Sequence, residues 1–351
     1  MSEQTDTPGR RQDSLIFEVT QRCNHDCPHC YNAWKNEAPY PAIEELGTAD
    51  TLAMLDKVLD ETDAGHVTLT GGEPLLRPDL PDIVAHLNRR HCQVNLITNG
   101  TLLDEATIGL LTPDRISIFE LPLLSDEAAI HDRLSGKPGA FDAVTMAMAE
   151  LKLAGQIVVS VFVATALNLH TWRETVELAF ALGVDGVMFN RFNPGGEGFR
   201  NLELLQPTPV ALREALDVAQ ELSVDYDFSI SCSIAMPPCL FEYERWPGLT
   251  FGFCAAGTAD AYYTLDPAGN LRPCNHSMVI LGNVREQNFW DLADTPAMRD
   301  FVAARPAFCD GCRLAEECLG GCKAAAEVCY GRVSTCDPFL HTFGHEAKKL
   351  T

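Results

Sequence analysis

Three cysteines on a loop leaving a strand constrain this chain more than any other feature. They stand in Cys23-Asn24-His25-Asp26-Cys27-Pro28-His29-Cys30, spaced C-x3-C-x2-C. The run before them, Leu15-Ile16-Phe17-Glu18-Val19-Thr20, is apolar and reads as the first strand of a domain. Three thiolates on one short loop can hold three corners of an iron–sulfur cube. Such cubes are usually held by four cysteines, so three leave one iron open. An open metal position is where substrate chemistry takes place. The alternatives are a structural zinc knuckle with His25 or His29 as fourth ligand, and buried free thiols.

Length and charge narrow the class. A chain of 351 residues accommodates one large domain and a small one. A net charge of −23 argues against nucleic-acid or anionic-membrane partners, which attract basic patches. It is compatible with a basic substrate, a high-salt cytoplasm or simple solubility. The 14 cysteines are not those of a secreted disulfide protein, because Met1 to Gln12 is polar and has no apolar signal core. The longest apolar run, Ile157 to Leu167, is interrupted by Ser and Thr and too short to span a bilayer. The expectation is a cytoplasmic protein whose cysteines serve metal.

Hydrophobic periodicity then alternates between 2 and 3.6 along the first two thirds. Strands are expected at 15–20, 66–70, 94–98, 115–120, 157–165 and 186–192, and helices at 49–62, 80–90, 104–111, 141–154, 171–182 and 209–222. Strands alternating with amphipathic helices mean βαβ units and a parallel sheet, hence an α/β fold. In parallel barrels chemistry lies at the C-terminal ends of strands, where the cysteine loop falls. The expected division is a disordered tail over 1–14, a barrel over 15–222, a bridge over 223–250 and a Cys-rich domain over 251–351.

Two more motifs end strands: Thr70-Gly71-Gly72-Glu73-Pro74 the second, and Thr98-Asn99-Gly100 the third. Together with the cysteine loop they resemble the radical S-adenosylmethionine (SAM) superfamily, whose signature is C-x3-C-x2-C in this place. The resemblance implies a partial (β/α)6 TIM-like barrel. It implies that Cys23, Cys27 and Cys30 hold a SAM-binding 4Fe–4S cluster and that Gly71, Gly72 and Glu73 hold the methionine amino group. Asn99 is implied as a ligand contact, although Asn-Gly also favours a plain tight turn. Relatives usually carry an aromatic residue just before the third cysteine; here that place holds His29, and Tyr31 follows Cys30. The Ser-x-Asp-Gly of many relatives at the fourth strand end is missing, so a ribose contact is expected from Glu120 or Ser125. His131-Asp132 with Gly136 is similar to the family's H-D-x-x-x-G segment, and reads equally as a helix cap and turn. Arg191, ending the sixth strand, is placed to meet the SAM carboxylate.

From Phe253 the cysteine density rises. Cys254, then Gly269-x4-Cys274, Cys309-x2-Cys312-x5-Cys318-x3-Cys322 and Cys336 resemble the SPASM extension, which binds two auxiliary iron–sulfur clusters. Paired zinc ribbons would explain the C-x2-C but not the other spacings. The resemblance assigns Cys254, Cys274 and Cys322 to auxiliary cluster I and Cys309, Cys312, Cys318 and Cys336 to cluster II. The fourth ligand of cluster I is left open between Cys232, Cys239, a non-cysteine residue, substrate and solvent. Cys329 is the alternative to Cys336, and Cys92 reads as a small core residue. Residues 262–274 read as a hairpin on a Gly-Asn turn.

The cofactors implied are three 4Fe–4S clusters and SAM, reduced by a low-potential donor such as flavodoxin or ferredoxin. SAM cleavage would give a 5′-deoxyadenosyl radical, and the auxiliary clusters would favour an oxidative outcome, a cross-link or a dehydrogenation. His276, two residues after Cys274, is the candidate general base. Most SPASM relatives modify peptides or proteins. Because about fourteen residues precede the first strand, a separate leader-binding protein is expected. The rival readings are small-molecule or cofactor biosynthesis (tetrapyrrole, quinone or sugar) and a non-catalytic iron–sulfur electron carrier.

Overall fold

A computed structural model describes residues 11–35, 43–111 and 115–347. Its strands are β1 Ser14–Thr20, β2 His66–Gly71, β3 Gln93–Ile97, β4 Ile118–Pro122, β5 Val158–Ala164, β6 Gly186–Arg191, β7 Ser229–Cys232, β8 Thr250–Phe251, β9 Thr264–Leu265, β10 Asn270–Arg272 and β11 Gly282–Asn283. Among the described residues they form one sheet in the order β11-β10-β9-β1-β2-β3-β4-β5-β6-β7-β8. The run from β1 to β8 is parallel throughout. The sheet stays open, as a partial barrel does.

The sheet is wider than six strands. Residues in the expected bridge supply β7 and β8 to one edge. At the other edge β9 pairs in parallel with β1, matching Ile16 to Thr264 and Phe17 to Leu265, so the C-terminal hairpin continues the barrel sheet. The expected N-terminal tail divides: residues 1–10 lie outside the described residues, whereas 11–13 run along the C-terminal region. There Asp13 N donates to Ala259 O at 3.0 Å, and the buried Gln12 side chain donates to Ala261 O at 2.6 Å.

Alternation along the strands sets the two faces. In β5, Val158, Ser160, Phe162 and Ala164 are buried and Val159, Val161 and Val163 are partly exposed, the period-2 pattern of a strand. Phe162 packs on Trp172 of helix Trp172–Ala181, with ring centroids 4.6 Å apart, while Val161 and Val163 face the barrel cavity. Phe17, Leu69, Leu96, Phe119 and Phe189 occupy the corresponding buried positions on their strands. Helices Thr48–Thr62, Leu80–Arg89, Glu105–Leu111, Ala140–Leu153 and Pro209–Asp225 stand where the periodicity puts them. The fourth strand begins three residues later than expected, at Ile118, because its pairing with β3 starts there, opposite Asn95. Helix Ala128–Ser135 develops around His131-Asp132 and ends on Gly136, whose φ of 61° is the left-handed cap conformation. Among the described residues no helix is long and apolar enough to cross a membrane.

Candidate functional site

The cysteine loop is held from three sides, two of them by backbone. Gly72 N donates to Thr20 O and Glu73 N to Arg22 O, each at 2.8 Å, so the turn after β2 closes onto the base of the loop. That closeness explains the glycines: a Cβ on Gly72 would lie 2.0 Å from Arg22 O, and one on Gly71 2.4 Å from Thr20 O. After β3, Asn99 Nδ2 donates to Asn24 Oδ1 at 2.8 Å. The third contact was not visible in the motifs. The turn Asn193-Pro194-Gly195-Gly196 after β6 packs on the third cysteine, and Gly198 N donates to Cys30 O at 2.9 Å. A Cβ on Gly196 would sit 2.5 Å from Asn32 O.

Cys23, Cys27 and Cys30 come together on a cavity of about 130 Å³, with His25, His29 and Lys35 around them. Burial pushes the Cys27 and Cys30 thiols up, Cys30 and Cys23 adding to the first. A bound metal would release those protons, since coordination deprotonates a thiol outright. Lys35, whose Nζ donates to His25 O at 2.7 Å, supplies the opposing charge. Among the described residues no three His, Cys, Asp or Glu side chains close on a single ion position. The three thiols surround a space instead.

A second cavity of about 330 Å³ adjoins the first and shares Cys27, His29, Cys30, Asn32, Gly72 and Asn99 with it. Its size falls in the ~300–1,000 Å³ range of small-molecule sites. Three buried atoms of residues lining it, His29 Nδ1, Asn32 Oδ1 and Asn193 Oδ1, have no hydrogen-bond partner among the described residues. Buried polar atoms are normally paired. This wall therefore fits a ligand that is rich in hydrogen-bonding groups and lies against the cysteines, as SAM would.

The expected SAM contacts divide. Gly71, Gly72, Asn99, Glu120, Tyr31 and Arg191 line this cavity. Glu120 is the better placed of the two ribose candidates: burial alone raises its carboxyl to about 7. Ser125 is turned away, its Oγ 3.0 Å from Thr171 Oγ1 and accepting from Glu127 N at 3.0 Å. The Glu73 carboxylate is also occupied elsewhere. It accepts from Thr98 Oγ1 at 2.7 Å, Leu75 N at 3.0 Å and Asn99 N at 2.8 Å, tying β2 to β3 beneath the turn. Arg191 reaches the cavity wall, but its guanidinium is committed. Nε donates to Ala235 O at 2.8 Å, and Nη2 pairs with Asp337 at 2.5 Å in a fully buried ion pair. An arginine so engaged holds the C-terminal helix Pro338–Phe343, which Asp337 caps, rather than a ligand carboxylate.

His276 meets Tyr31 face to face, with ring centroids 4.3 Å apart. Burial holds its pKa down to about 4, so it is neutral and only weakly basic near pH 7. That is a poor setting for a general base, which works best with a pKa near the operating pH. Asn275 Nδ2 donates to Tyr31 Oη at 3.0 Å. Asn193, which no motif singles out, lies 3.3 Å from His276 Nε2 and donates to Cys322 Sγ at 3.2 Å.

On the far side of His276 and Asn193, Cys254, Cys274 and Cys322 line one cavity of about 90 Å³. Neither Cys232 nor Cys239 joins them. Cys232 is buried in β7 within the main core, and the non-cysteine polar residues present are Asn193, Ser233, Tyr262, Asn275, His276 and Lys323. Cys309, Cys312 and Cys318 line a further cavity together with Cys239. Cys336 is not among the residues lining it, and Cys329 lies on helix Lys323–Tyr330, where Asp337 and Cys322 affect its thiol. Cys92 is a buried core residue.

Two sequence profiles match the chain. That of the radical SAM superfamily covers residues 17–182, and that of SPASM, an iron–sulfur cluster-binding domain, covers residues 254–322. This chain belongs to the radical SAM superfamily. As a radical SAM enzyme with a SPASM domain it binds iron–sulfur clusters and SAM, which disposes of the zinc alternatives and of the plain electron carrier. Along 93% of its length it is 28% identical to the PqqA peptide cyclase of Methylocella silvestris, covering 87% of that protein. It is 29% identical to the PqqA peptide cyclase of Gluconobacter oxydans, again along 93% of this chain and over 89% of the relative. Among solved structures, Streptococcus suis SuiB bound to precursor peptide SuiA has a TM-score of 0.73 at 16% identity, over 93% of this chain and 75% of that one. anSMEcpe with bound AdoMet has a TM-score of 0.73 at 17% identity, over 95% and 92% of the two chains. At these identities the structures establish the radical SAM fold.

Proposed function

We propose that this enzyme carries out an oxidative modification, a cross-link or a dehydrogenation, on a peptide or protein substrate. The observation that carries the proposal is a shared wall. Asn275 and His276, the two residues after Cys274, line the same cavity as Cys27, Cys30, Gly71 and Gly72. A substrate in that cavity would therefore lie between the SAM-binding cysteines and the first auxiliary set. The peptide class is supported by the PqqA peptide cyclases, similar along nearly the whole chain.

SAM on an open-iron cluster supplies a radical able to take a hydrogen atom from an unactivated carbon. The chain's own residues do the rest. Cys23, Cys27 and Cys30 would hold that cluster. The Gly71-Gly72 turn, Asn99 and Glu120 would orient SAM, and Val161, Val163 and Met188 make part of the wall apolar, limiting water. Auxiliary 4Fe–4S clusters, one at Cys254, Cys274 and Cys322 and one at Cys309, Cys312, Cys318 and Cys336, would bring the total to three. Reduction by a flavodoxin or ferredoxin, and delivery of the peptide by a separate leader-binding protein, belong to the same proposal.

The test is anaerobic reconstitution, followed by SAM, a low-potential reductant and peptides encoded beside the gene. The expected product is 5′-deoxyadenosine together with a peptide lighter by two hydrogens. Iron and sulfide should each approach about twelve per chain if all three clusters are cubic. The Cys23/Cys27/Cys30→Ala triple variant should lose about a third of the iron and all SAM cleavage. Turnover of a sugar or tetrapyrrole, with none of such peptides, would transfer the reading to small-molecule biosynthesis.

A further inference from the structure

One buried side chain reaches both halves of the site and leaves part of its bonding unmade. Asn193 lines the cavity of Cys27 and Cys30 and also that of Cys254, Cys274 and Cys322. Ser233, Ile234, Asn275 and His276 are shared in the same way, and none of the five lines the smaller cavity around Cys23. They form the auxiliary end of the shared cavity. His29 and Asn32, whose buried atoms also lack partners, line its cysteine end. Backbone holds Asn193 in place: Phe192 N donates to Ala164 O at 2.9 Å, and a Cβ on Gly195 would lie 2.8 Å from Tyr31 O.

The neighbours of Asn193 fix which way its amide points. Nδ2 donates to Cys322 Sγ at 3.2 Å and lies 3.3 Å from His276 Nε2. A thiolate has no proton to give, so the reversed amide, with Oδ1 against that sulfur, would set two acceptors together. Oδ1 is left buried, with no donor among the described residues. The donors lining the same cavities are aimed elsewhere. Asn275 Nδ2 donates to Tyr31 Oη at 3.0 Å, and Ser233 Oγ to Asn190 Oδ1 at 2.7 Å. Lys323 Nζ donates to Phe301 O and Val302 O at 2.9 and 2.6 Å. Buried amide oxygens are normally paired, so this one fits a donor carried in by a ligand.

We propose that Asn193 Oδ1 accepts an N–H of the bound peptide, and that the same amide passes this contact to the first auxiliary cluster through its bond to Cys322 Sγ. The proposal rests on the reading that a peptide occupies the shared cavity. Hydrogen bonds to the sulfurs of a cluster stabilise its reduced, more negative form and so raise its potential. A donor on Oδ1 draws charge from the amide and makes Nδ2–H a stronger donor, because bonds in a chain polarise one another. Peptide binding should therefore raise the potential at which this cluster is reduced.

The experiment follows the electron paramagnetic resonance component that Cys274→Ala removes. It is titrated against potential in the reconstituted full chain, with and without peptides encoded beside the gene. In the unmutated protein the peptide should raise its potential, and this comparison does not depend on how any variant folds. Asn193→Leu has a similar shape and removes both bonds. Without peptide its potential should lie lower by about 59 mV, a tenfold change in the one-electron equilibrium. Peptide should no longer move that potential, and peptide affinity should fall about tenfold because the peptide N–H is left buried and unpaired. A peptide that binds N193L as tightly as the unmutated protein, or that binds the unmutated protein without moving the potential, overturns the proposal. If no peptide is bound or modified while N193L still lowers the potential, the peptide reading falls and takes the Oδ1 contact with it, but the bond to Cys322 stands.

Discussion

The Tyr31 ring lies on the His276 imidazole, 4.3 Å between centroids and 16° from parallel, and this pair stands between two cysteine-lined cavities. Tyr31 follows Cys30 in the chain, while His276 is near Asn193, whose amide donates to Cys322 Sγ. The partition is thus a continuous series of contacts from one cysteine set to the other.

Removing the stack should uncouple the two sides. Tyr31→Leu and His276→Leu should keep SAM cleavage measured without substrate, yet lower product formation about tenfold or more, equivalent to about 1.4 kcal/mol. Tyr31→Phe retains the ring and loses only the hydroxyl that accepts from Asn275, so its product yield should stay closer to that of the unmutated enzyme. The ratio of 5′-deoxyadenosine to modified substrate is the measurement. An unchanged ratio in both leucine variants would remove the partition from the mechanism.

Glu73 makes a structural prediction. Its two carboxylate oxygens accept three hydrogen bonds from β3 and the turn, and the side chain is fully buried. In Glu73→Gln an amide N–H must face a donor it cannot bond. A buried polar group left unpaired costs about 1–3 kcal/mol. Denaturant unfolding should show a loss in that range for E73Q, and SAM affinity should fall because the Asn99 turn is no longer held. Weakened SAM binding with undiminished stability would instead point to direct ligand contact by this carboxylate.

Much of the fold can be read from the sequence because strand and helix periods alternate without ambiguity over the first 225 residues. Val158–Ala164, for example, alternates buried and half-buried at every step. The cysteine loop Cys23–Cys30 is equally legible, since its spacing is local. What sequence could not supply is the direction in which strand-end side chains turn. Arg191 lines the cavity, but its guanidinium is claimed by Asp337, 146 positions away. Glu73 sits in a motif that suggests a ligand contact, yet Thr98 and Asn99 take its oxygens. Asn193 left a faint sign, the Asn-Pro-Gly-Gly turn at the end of a strand, where crevices outside the carboxyl ends of parallel strands receive ligands.

His131 gives a pH prediction. It is buried, and its Nδ1 accepts from Leu124 N at 3.2 Å, so the neutral ring is the one that fits. Burial lowers its pKa from 6.5 to about 4. Between those values the unfolded chain binds a proton that the folded chain does not, so stability falls as pH drops from 6.5 towards 4. Asn carries an acceptor in a similar place and no titrating group. Plotted against pH in that window, the stability of the His131→Asn variant should fall less steeply than that of the unmutated protein. Parallel curves would mean that His131 is not held neutral.

Glu120 should behave in the opposite sense. It lines the SAM cavity, and burial alone raises its carboxyl from 4.5 to about 7. Between pH 4.5 and 7 the folded chain keeps a proton that the unfolded chain has lost. Stability therefore falls as pH rises through this window and levels off above it. At about 1.36 kcal/mol per unit the whole effect is at most about 3.4 kcal/mol. Glu120→Gln has the shape of the protonated acid without its titration, so its stability curve should lack this decline when measured without SAM. Ligand binding separates the two protonation states further. If the carboxylate is the form that accepts a hydroxyl from SAM, affinity should rise as pH approaches 7 and then stop rising, and in E120Q the rise should disappear. A pH dependence of SAM affinity that survives in E120Q would mean another group controls it, and the orienting role proposed for Glu120 would be lost.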